Sequence, residues 1–382
     1  MKAELQNKNT PDRLIFEDNS GRIDRLKRCT RCILPETMPF IEFDEQGVCN
    51  YCRNYRKTAL KPAEALHAIA DRIRKSDGSC DCISMFSGGR DSSYLLHYLV
   101  RELGLHPLVF TYDWGMSTPL GERNAQRMCD ILGVERIVID QDKGRKRKYI
   151  AQNVRAWCKK PDLGMIPLFT AGDKAFFPEV NRLSRERNIN TIFIGTNPLE
   201  KTDFKTGFCG VRPNFEAEQI HHLKKDGKSQ LIKYYMKQFM SNPGYINSSL
   251  FDTAKAFFSF YDVKQEQIDL YQYVRWEEQL VNDTLIKQYG WEMDPETPTT
   301  WRIGDGTAAF YNYVYYTAAG FTENDTLRSN QIREGDISRE SALEMVKNEN
   351  KPRPNSMQWY FDTIGVDMTK AVEAANSIRK LY

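Results

Sequence analysis

The sequence predicts an α/β fold: a parallel-sheet core carrying an N-terminal four-cysteine knuckle and a helical C-terminal region. Three observations predict it. Between residues 80 and 200, apolar runs of strand length alternate with stretches of helical periodicity. That alternation builds parallel sheets covered by helices on both faces. Two CxxC pairs stand ahead of this region. After about residue 215 the strand signals fade and aromatic-rich helical stretches follow.

The segments divide as an N-terminal arm (1–25), a metal-binding knuckle (26–60), an α/β domain (61–215) and a helical substrate or partner region (216–382). The arm reads as loosely held. Residues 62–76 space Ala, Leu and Ile as a helix does. "CISMF" (82–86) reads as a buried strand, and 91–103 as a helix opened by Asp and Ser. "PLVFTYD" (107–113) is a second strand, followed by a helix over 118–132. "ERIVID" (135–140) is a third strand, with helical stretches near 146–159 and 173–188. "TIFIGTN" (191–197) is the fourth. Beyond it, 229–242, 265–288, 306–319, 338–348 and 355–380 read mainly as helices.

Bulk properties narrow the setting. The chain has 382 residues, 41% of them apolar and 27% charged, enough core-forming material for two or three domains. A net charge of +3 argues against nucleic acid or a membrane surface as an obligate partner. No run approaches the roughly 18 apolar residues of a membrane span. The N-terminus lacks the apolar stretch of a signal peptide. These features predict a cytoplasmic protein, and they leave a homo-oligomer open. Nine cysteines is an odd count. In a chain of this size and compartment it favours metal binding or catalysis over a disulfide framework.

The cysteines make the first strong motif. Cys29/Cys32 and Cys49/Cys52 are separated by 16 residues, inside the spacing of all-cysteine zinc sites. Short CxxC turns place two sulfurs on one metal. Pro35, Pro39 and Gly47 between the pairs favour tight turns. A closed Zn2+ site with four thiolates leaves no position open for substrate, so its expected role is structural. A redox CxxC and an iron–sulfur cluster are the alternatives.

The second motif is "FSGGRDSSYLL" (86–96). It follows a predicted strand and opens a predicted helix, which is the arrangement that phosphate binding needs. Glycines allow close backbone approach, and free N–H groups and the helix dipole favour an anion. The hydroxyls of Ser87, Ser92 and Ser93 add donors, and Asp91 suits Mg2+ beside phosphates. It is neither a Walker A loop nor GxGxxG. The plainer reading is an ordinary strand–helix turn with a Ser/Asp cap.

"SGGRDSS" matches the SGGxDS signature of the PP-loop ATP pyrophosphatases, and the chain resembles that family. The family is similar to the ligase domains of asparagine and GMP synthetases and to the tRNA thiolation enzymes. The resemblance implies ATP and Mg2+ as cofactors. It also implies adenylation of a carbonyl-type oxygen with release of pyrophosphate, then displacement of AMP by nitrogen or sulfur. Carried over by position, Ser87, Gly88, Gly89, Asp91, Ser92 and Ser93 would embrace the pyrophosphate and its metal. Tyr112 and Asp113, and Gly195, Thr196 and Asn197, would flank the nucleotide at the carboxyl edge of the sheet. The pairing of "CTRC…FDEQGVCNYC" with this loop resembles, over roughly 28–200, the N-acetyl sugar amidotransferases of surface-polysaccharide (lipopolysaccharide) biosynthesis. That likeness implies a nucleotide-sugar substrate and ammonia from a separate glutaminase subunit.

The nucleophile stays open at this level. The only approach to a glutaminase elbow is "GFCGVRP" (207–213), which fails after its cysteine, and a chain beginning Met-Lys offers no N-terminal nucleophilic cysteine. Cys209 keeps a sulfurtransferase reading alive, acting on a nucleobase, tRNA or another small molecule. It lies 12 residues past Asn197, where a loop faces the ligand crevice. Lys201 and Lys205 nearby are expected to lower its pKa and support a persulfide; an idle buried thiol is the alternative. Cys80, Cys82, Cys129 and Cys158 read as core residues. The basic run "KGRKRKY" (143–149) reads as a solvated helix face with a tRNA phosphate contact as the sharper option. Arg302 and Asp305 precede an aromatic helix at a point that can reach substrate. Arg328 and Arg333 read as surface salt bridges, with phosphate or carboxylate binding as the alternative.

Overall fold

The computed structural model describes residues 15–140, 142–170, 176–215, 225–252 and 267–382. Five parallel strands form one sheet: β1 (Cys82–Met85), β2 (Pro107–Asp113), β3 (Arg136–Asp140), β4 (Ile192–Ile194) and β5 (Gln267–Asp269). Their order is β3-β2-β1-β4-β5. The longer helices are α1 (Ala63–Ile73), α2 (Arg90–His97), α3 (Pro119–Leu132), α4 (Lys143–Lys159), α5 (Phe176–Arg187) and α6 (Lys225–Ser241). They continue as α7 (Glu278–Tyr289), α8 (Ala308–Ala319), α9 (Glu323–Glu334), α10 (Arg339–Glu349), α11 (Pro354–Ile364) and α12 (Met368–Asn376). Among the described residues no helix is long and apolar enough to cross a membrane.

The four expected strands form and pair as a parallel sheet should, with Val109 of β2 opposite Arg136 of β3 and Ile83 of β1 opposite Ile192 of β4. Burial of β1 along its whole length explains its unbroken apolar run. The fifth strand corrects the helix expected over 265–288. Gln267–Asp269 pairs with β4, and a helix begins only at Glu278. Three residues carry too little periodicity to signal a strand.

Two further corrections concern helices. The stretch 355–380 splits at Gly365, whose φ of +63° ends α11. The helix α9 was not expected at all. Its side chains are almost all polar, yet Glu323, Asp325, Arg328, Ser329, Asn330, Gln331 and Arg333 are buried. No apolar stripe marks such a helix. Its one local start signal is Thr322-x-x-Asp325, which forms a reciprocal cap between side chains and backbone.

The arm is better anchored than expected where it is described. Ile23 is buried, the Glu17 N–H donates to Tyr313 Oη at 3.1 Å, and Asn376 Nδ2 donates to the Ile15 carbonyl at 2.8 Å. The aromatic face of α8 is core, as its composition suggests: Phe310, Tyr311 and Tyr315 are at most 1% exposed. One apolar cluster takes in the knuckle cysteines, α4, α8, α11 and α12. The helical region therefore packs directly on the knuckle and on the α/β layer.

Candidate functional site

The strand order puts β1 between β2 and β4, so the chain leaves β1 in one direction and returns on its other side. The loops after β1 and β4 diverge there and open a crevice at the carboxyl edge, where parallel sheets place ligands. The glycine loop sits at that point. Gly88 has φ +74°, and a Cβ on it would stand 2.9 Å from Ala125 Cβ and 3.1 Å from the Gly121 carbonyl. Gly195, just past β4, would place a Cβ 3.0 Å from the Asp91 carbonyl and 3.2 Å from Leu95. Only glycine lets the first loop approach α3, and the loop after β4 approach the first turn of α2, so closely.

Within the loop, the Ser87 and Ser92 hydroxyls lie 3.0 Å apart, Ser92 Oγ donates to the Gly89 carbonyl at 3.1 Å, and the Gly89 N–H donates to Ser87 Oγ at 3.3 Å. Ser93 Oγ and Asn197 Nδ2 are buried without a partner among the described residues. Buried polar groups are normally paired, so these two suit a polar ligand. Thr196 donates its N–H to Asp269 Oδ1 at 3.2 Å. Asp113 is engaged otherwise: it accepts from Gly115 N and from Lys143 Nζ, each at 2.8 Å. Tyr112 precedes it in the last residues of β2.

Asp91 is the focus of the charge pattern. Its Oδ1 accepts from Trp276 Nε1 at 2.7 Å and from Arg90 Nε at 3.1 Å. Arg90, unassigned in the sequence reading, is 2% exposed. It also reaches Glu200 and Glu278, both at 3.2 Å, and stacks over Trp276. Burial and the neighbouring Asp91 push the Glu200 carboxyl up to about 8, against the pull of Arg302 and Arg90. Asp91 and Glu200 thus present two neighbouring carboxyls beside the N-terminus of α2.

A second cluster lies beside the first. Glu323 opens α9 and is fully buried. It holds Lys205 Nζ, Arg302 Nε at 3.0 Å and the Tyr311 hydroxyl at 2.8 Å. Arg302 has φ +53°, a strained conformation for a side-chain-bearing residue, and its side chain is 32% exposed. The loop that carries it docks on the loop after β2: the Thr118 N–H donates to the Gly304 carbonyl at 3.0 Å and the Gly306 N–H to the Met116 carbonyl at 2.9 Å. Residues 186 and 190 positions apart in the sequence thus meet beside the glycine loop.

Glu323 gives a pH prediction. Burial raises its pKa, but Arg302 and Lys205 outweigh burial and hold it at about 2. A carboxylate depressed below its unfolded value stabilises the fold above pH 4.5 and loses that contribution as pH falls from about 4.5 to about 2. The contribution is about 3 kcal/mol. Glu323→Gln should therefore remove most of the difference in urea midpoint between pH 6 and pH 3 that the parent shows at this site. An unchanged acid profile in the variant would rule this out.

Cys209 does not have the environment expected of it. It is 1% exposed, its Sγ contacts the Gly164 and Lys205 carbonyls at 3.3 and 3.6 Å, and burial pushes the thiol up to about 12. Lys205 turns its ammonium to Glu323 instead, and burial lowers that ammonium's own pKa. The basic run is also more structural than expected. Lys146 is 1% exposed and pairs with Asp252, Lys143 ties Asp113 to Asp140, and Arg147 Nε donates to the Gly115 carbonyl at 2.9 Å.

The knuckle is a closed site. The sulfurs of Cys29, Cys32, Cys49 and Cys52 all lie within 4.8 Å of one another, and all four residues are buried. Cys29 and Cys52 sulfurs are 3.9 Å apart, and Cys32 and Cys49 sulfurs 3.8 Å. Tetrahedral Zn2+ with Zn–S of about 2.3 Å requires edges of about 3.8 Å. Backbone N–H groups of Arg31, Cys32 and Cys49 point at Cys29 Sγ from 3.2 to 3.4 Å. The four cysteines are thus placed to bind a metal ion and are compatible with zinc.

Arg328 and Arg333 are not surface residues; they are 1% and 5% exposed. Arg328 pairs with Glu278 and Glu349. Arg333 donates to Cys52 Sγ through Nε and to Cys32 Sγ through Nη2, both at 3.3 Å. Sequence reasoning missed Arg90, Glu200, Glu278, Trp276 and Glu323: Arg90 fills the variable position of the SGGxDS run, the others stand in no motif, and their meeting depends on non-local packing. No protein-family model matches the chain, and no curated protein is significantly similar to it in sequence.

Proposed function

We propose that the chain is an AMP-forming, ATP-dependent amidotransferase of the PP-loop kind. The observation that carries this reading is the glycine loop at the switch point of a parallel sheet, with Asp91 and Glu200 facing the same crevice. Ser87, Gly88, Gly89, Ser92 and Ser93 would bind the pyrophosphate portion of ATP. Asp91 and Glu200 would hold Mg2+, which supplies charge neutralisation at the phosphates when bound. Fixed donors aimed at a departing pyrophosphate stabilise the developing charge. Tyr112, Asp113, Gly195, Thr196 and Asn197 border the nucleotide on this reading. Lys205 and Arg302, both paired with Glu323, would border the site beside them on this reading.

The reaction is written in two steps. An amide oxygen, in our reading that of a sugar N-acetyl group on a nucleotide sugar, attacks the α-phosphorus and pyrophosphate leaves. Ammonia then attacks the amide carbon, AMP departs with the oxygen, and a proton is lost. No glutaminase motif is present in the sequence, so a separate glutaminase subunit or free ammonia would supply the nitrogen. The knuckle, in this reading holding zinc, has no open coordination position and takes no chemical part.

Burial of Cys209 favours nitrogen over sulfur. A thiol held near 12 in a closed site is a poor persulfide carrier. Cys209→Ala is expected to leave ammonia-dependent turnover within about threefold of the parent, since the site loses one small apolar group. If turnover disappears while adenylation persists, sulfur transfer replaces the nitrogen reading. The deciding experiment for the whole reading is pyrophosphate release with Mg-ATP across nucleotide sugars, nucleobases and tRNA, with ammonia or sulfide. Release with a nucleotide sugar and ammonia is the expected result. Failure to bind Mg-ATP at all would refute the assignment.

A further inference from the structure

We propose that Arg333 is a positioning residue that couples the four-thiolate site to the glycine loop, so that metal occupancy and ligand binding at the loop strengthen each other. The coupling rests on the nucleotide-site reading only in its last readout.

The contacts run without a gap. Arg333 donates to Cys32 and Cys52 sulfurs at 3.3 Å, and its Nη1 donates to Asn330 Oδ1 at 2.6 Å. Asn330 Nδ2 donates to the Leu199 carbonyl at 2.7 Å. The next residue, Glu200, holds Arg90 at 3.2 Å, and Arg90 holds Asp91 at 3.1 Å. Arg333, Asn330, Leu199 and Arg90 are each at most 5% exposed. Water is therefore a poor substitute for any partner lost along this line.

Charge explains why the metal matters to it. Four thiolates around a divalent cation carry a net charge of about −2, and the buried Arg333 guanidinium faces two of them. Its planar fork fixes α9 in rotation as well as in distance. Without the metal the sulfurs lose their fixed positions, and the guanidinium loses both acceptors. The helix α9 then loses its reference on the knuckle side. Groups that orient ligands to a metal typically change its affinity 10–100-fold. Binding energies coupled in this way are reciprocal, so a ligand that orders the loop must also tighten the metal.

The test uses the full-length, zinc-loaded protein and three measurements. These are zinc release to a chromogenic chelator, the 19F resonance of 5-fluorotryptophan at position 276, and the dissociation constant of Mg-ATP. Trp276 donates to Asp91 at 2.7 Å and so reports the loop without any ligand; Trp276→Phe assigns its signal. Arg333→Met is expected to speed zinc release about tenfold or more, to shift the Trp276 resonance and to weaken Mg-ATP severalfold. Arg333→Lys should recover part of each. Asn330→Ala should shift Trp276 and weaken Mg-ATP with a smaller effect on zinc release. An unmoved Trp276 resonance in both Arg333→Lys and Asn330→Ala would overturn the coupling, even if Arg333→Met fails to fold. Shifted variant resonances together with a parent that binds no Mg-ATP would sustain the coupling and sink the nucleotide reading instead.

Discussion

Asp91→Asn is expected to lower pyrophosphate release roughly a hundredfold or more while changing thermal stability little. The reasons lie in what the amide keeps and what it loses. An Asn Oδ1 can still accept from Trp276 Nε1, which lies 2.7 Å from the carboxylate in the parent. Arg90 retains Glu200 and Glu278, so its buried charge stays compensated. What disappears is one of the two carboxyl charges that would hold a magnesium ion beside the helix N-terminus on the proposed reading. Mg-ATP affinity should fall along with turnover, and the requirement for Mg2+ should shift to higher concentration. Turnover within threefold of the parent, measured at saturating Mg2+, would remove Asp91 from the proposed chemistry.

Arg90→Met should cost stability first. Arg90 compensates Asp91, Glu200 and Glu278 from a position 2% exposed. Removing one partner from a buried ionic network typically costs about 3–5 kcal/mol, because the remaining charges stay buried. The pH dependence carries the signature. With Arg90 gone, burial and Asp91 would push the Glu200 carboxyl further up, while Glu278 keeps Arg328, leaving the folded state with more bound protons than the unfolded chain. Stability of the variant then rises as pH falls, opposite in sign to an ordinary salt-bridge loss. Denaturation midpoints at pH 8 and pH 5.5 provide the check: the deficit relative to the parent should shrink at the lower pH. A deficit that is constant across that range would mean packing, not charge, sets the cost.

These two variants separate parts of the molecule that sequence treats alike. Asp91 and Arg90 are neighbours in "SGGRDSS", and only one of them was assigned a role from that run. The other turns inward and joins the loop to α7 through Glu278. The same contrast holds for the two arginines of α9. Periodicity cannot distinguish a buried polar helix from an exposed one, since both lack an apolar stripe. Cys209 shows the converse: sequence placed it correctly beyond β4 but had no access to the Gly164 and Lys205 carbonyls that enclose it.

By itself, the sequence determined the α/β class, four of the strands, the four-cysteine metal site and the loop at the carboxyl edge of the sheet. Each depends on short-range order: alternation, CxxC spacing, or glycines where a turn needs them. Only the tertiary structure decided the fifth strand, the buried helix α9 and the ionic crevice that joins Asp91, Glu200, Arg302 and Glu323. Those depend on which charges are desolvated together. A charged side chain reads the same in sequence whether water or a buried counter-charge satisfies it, and only packing chooses between the two.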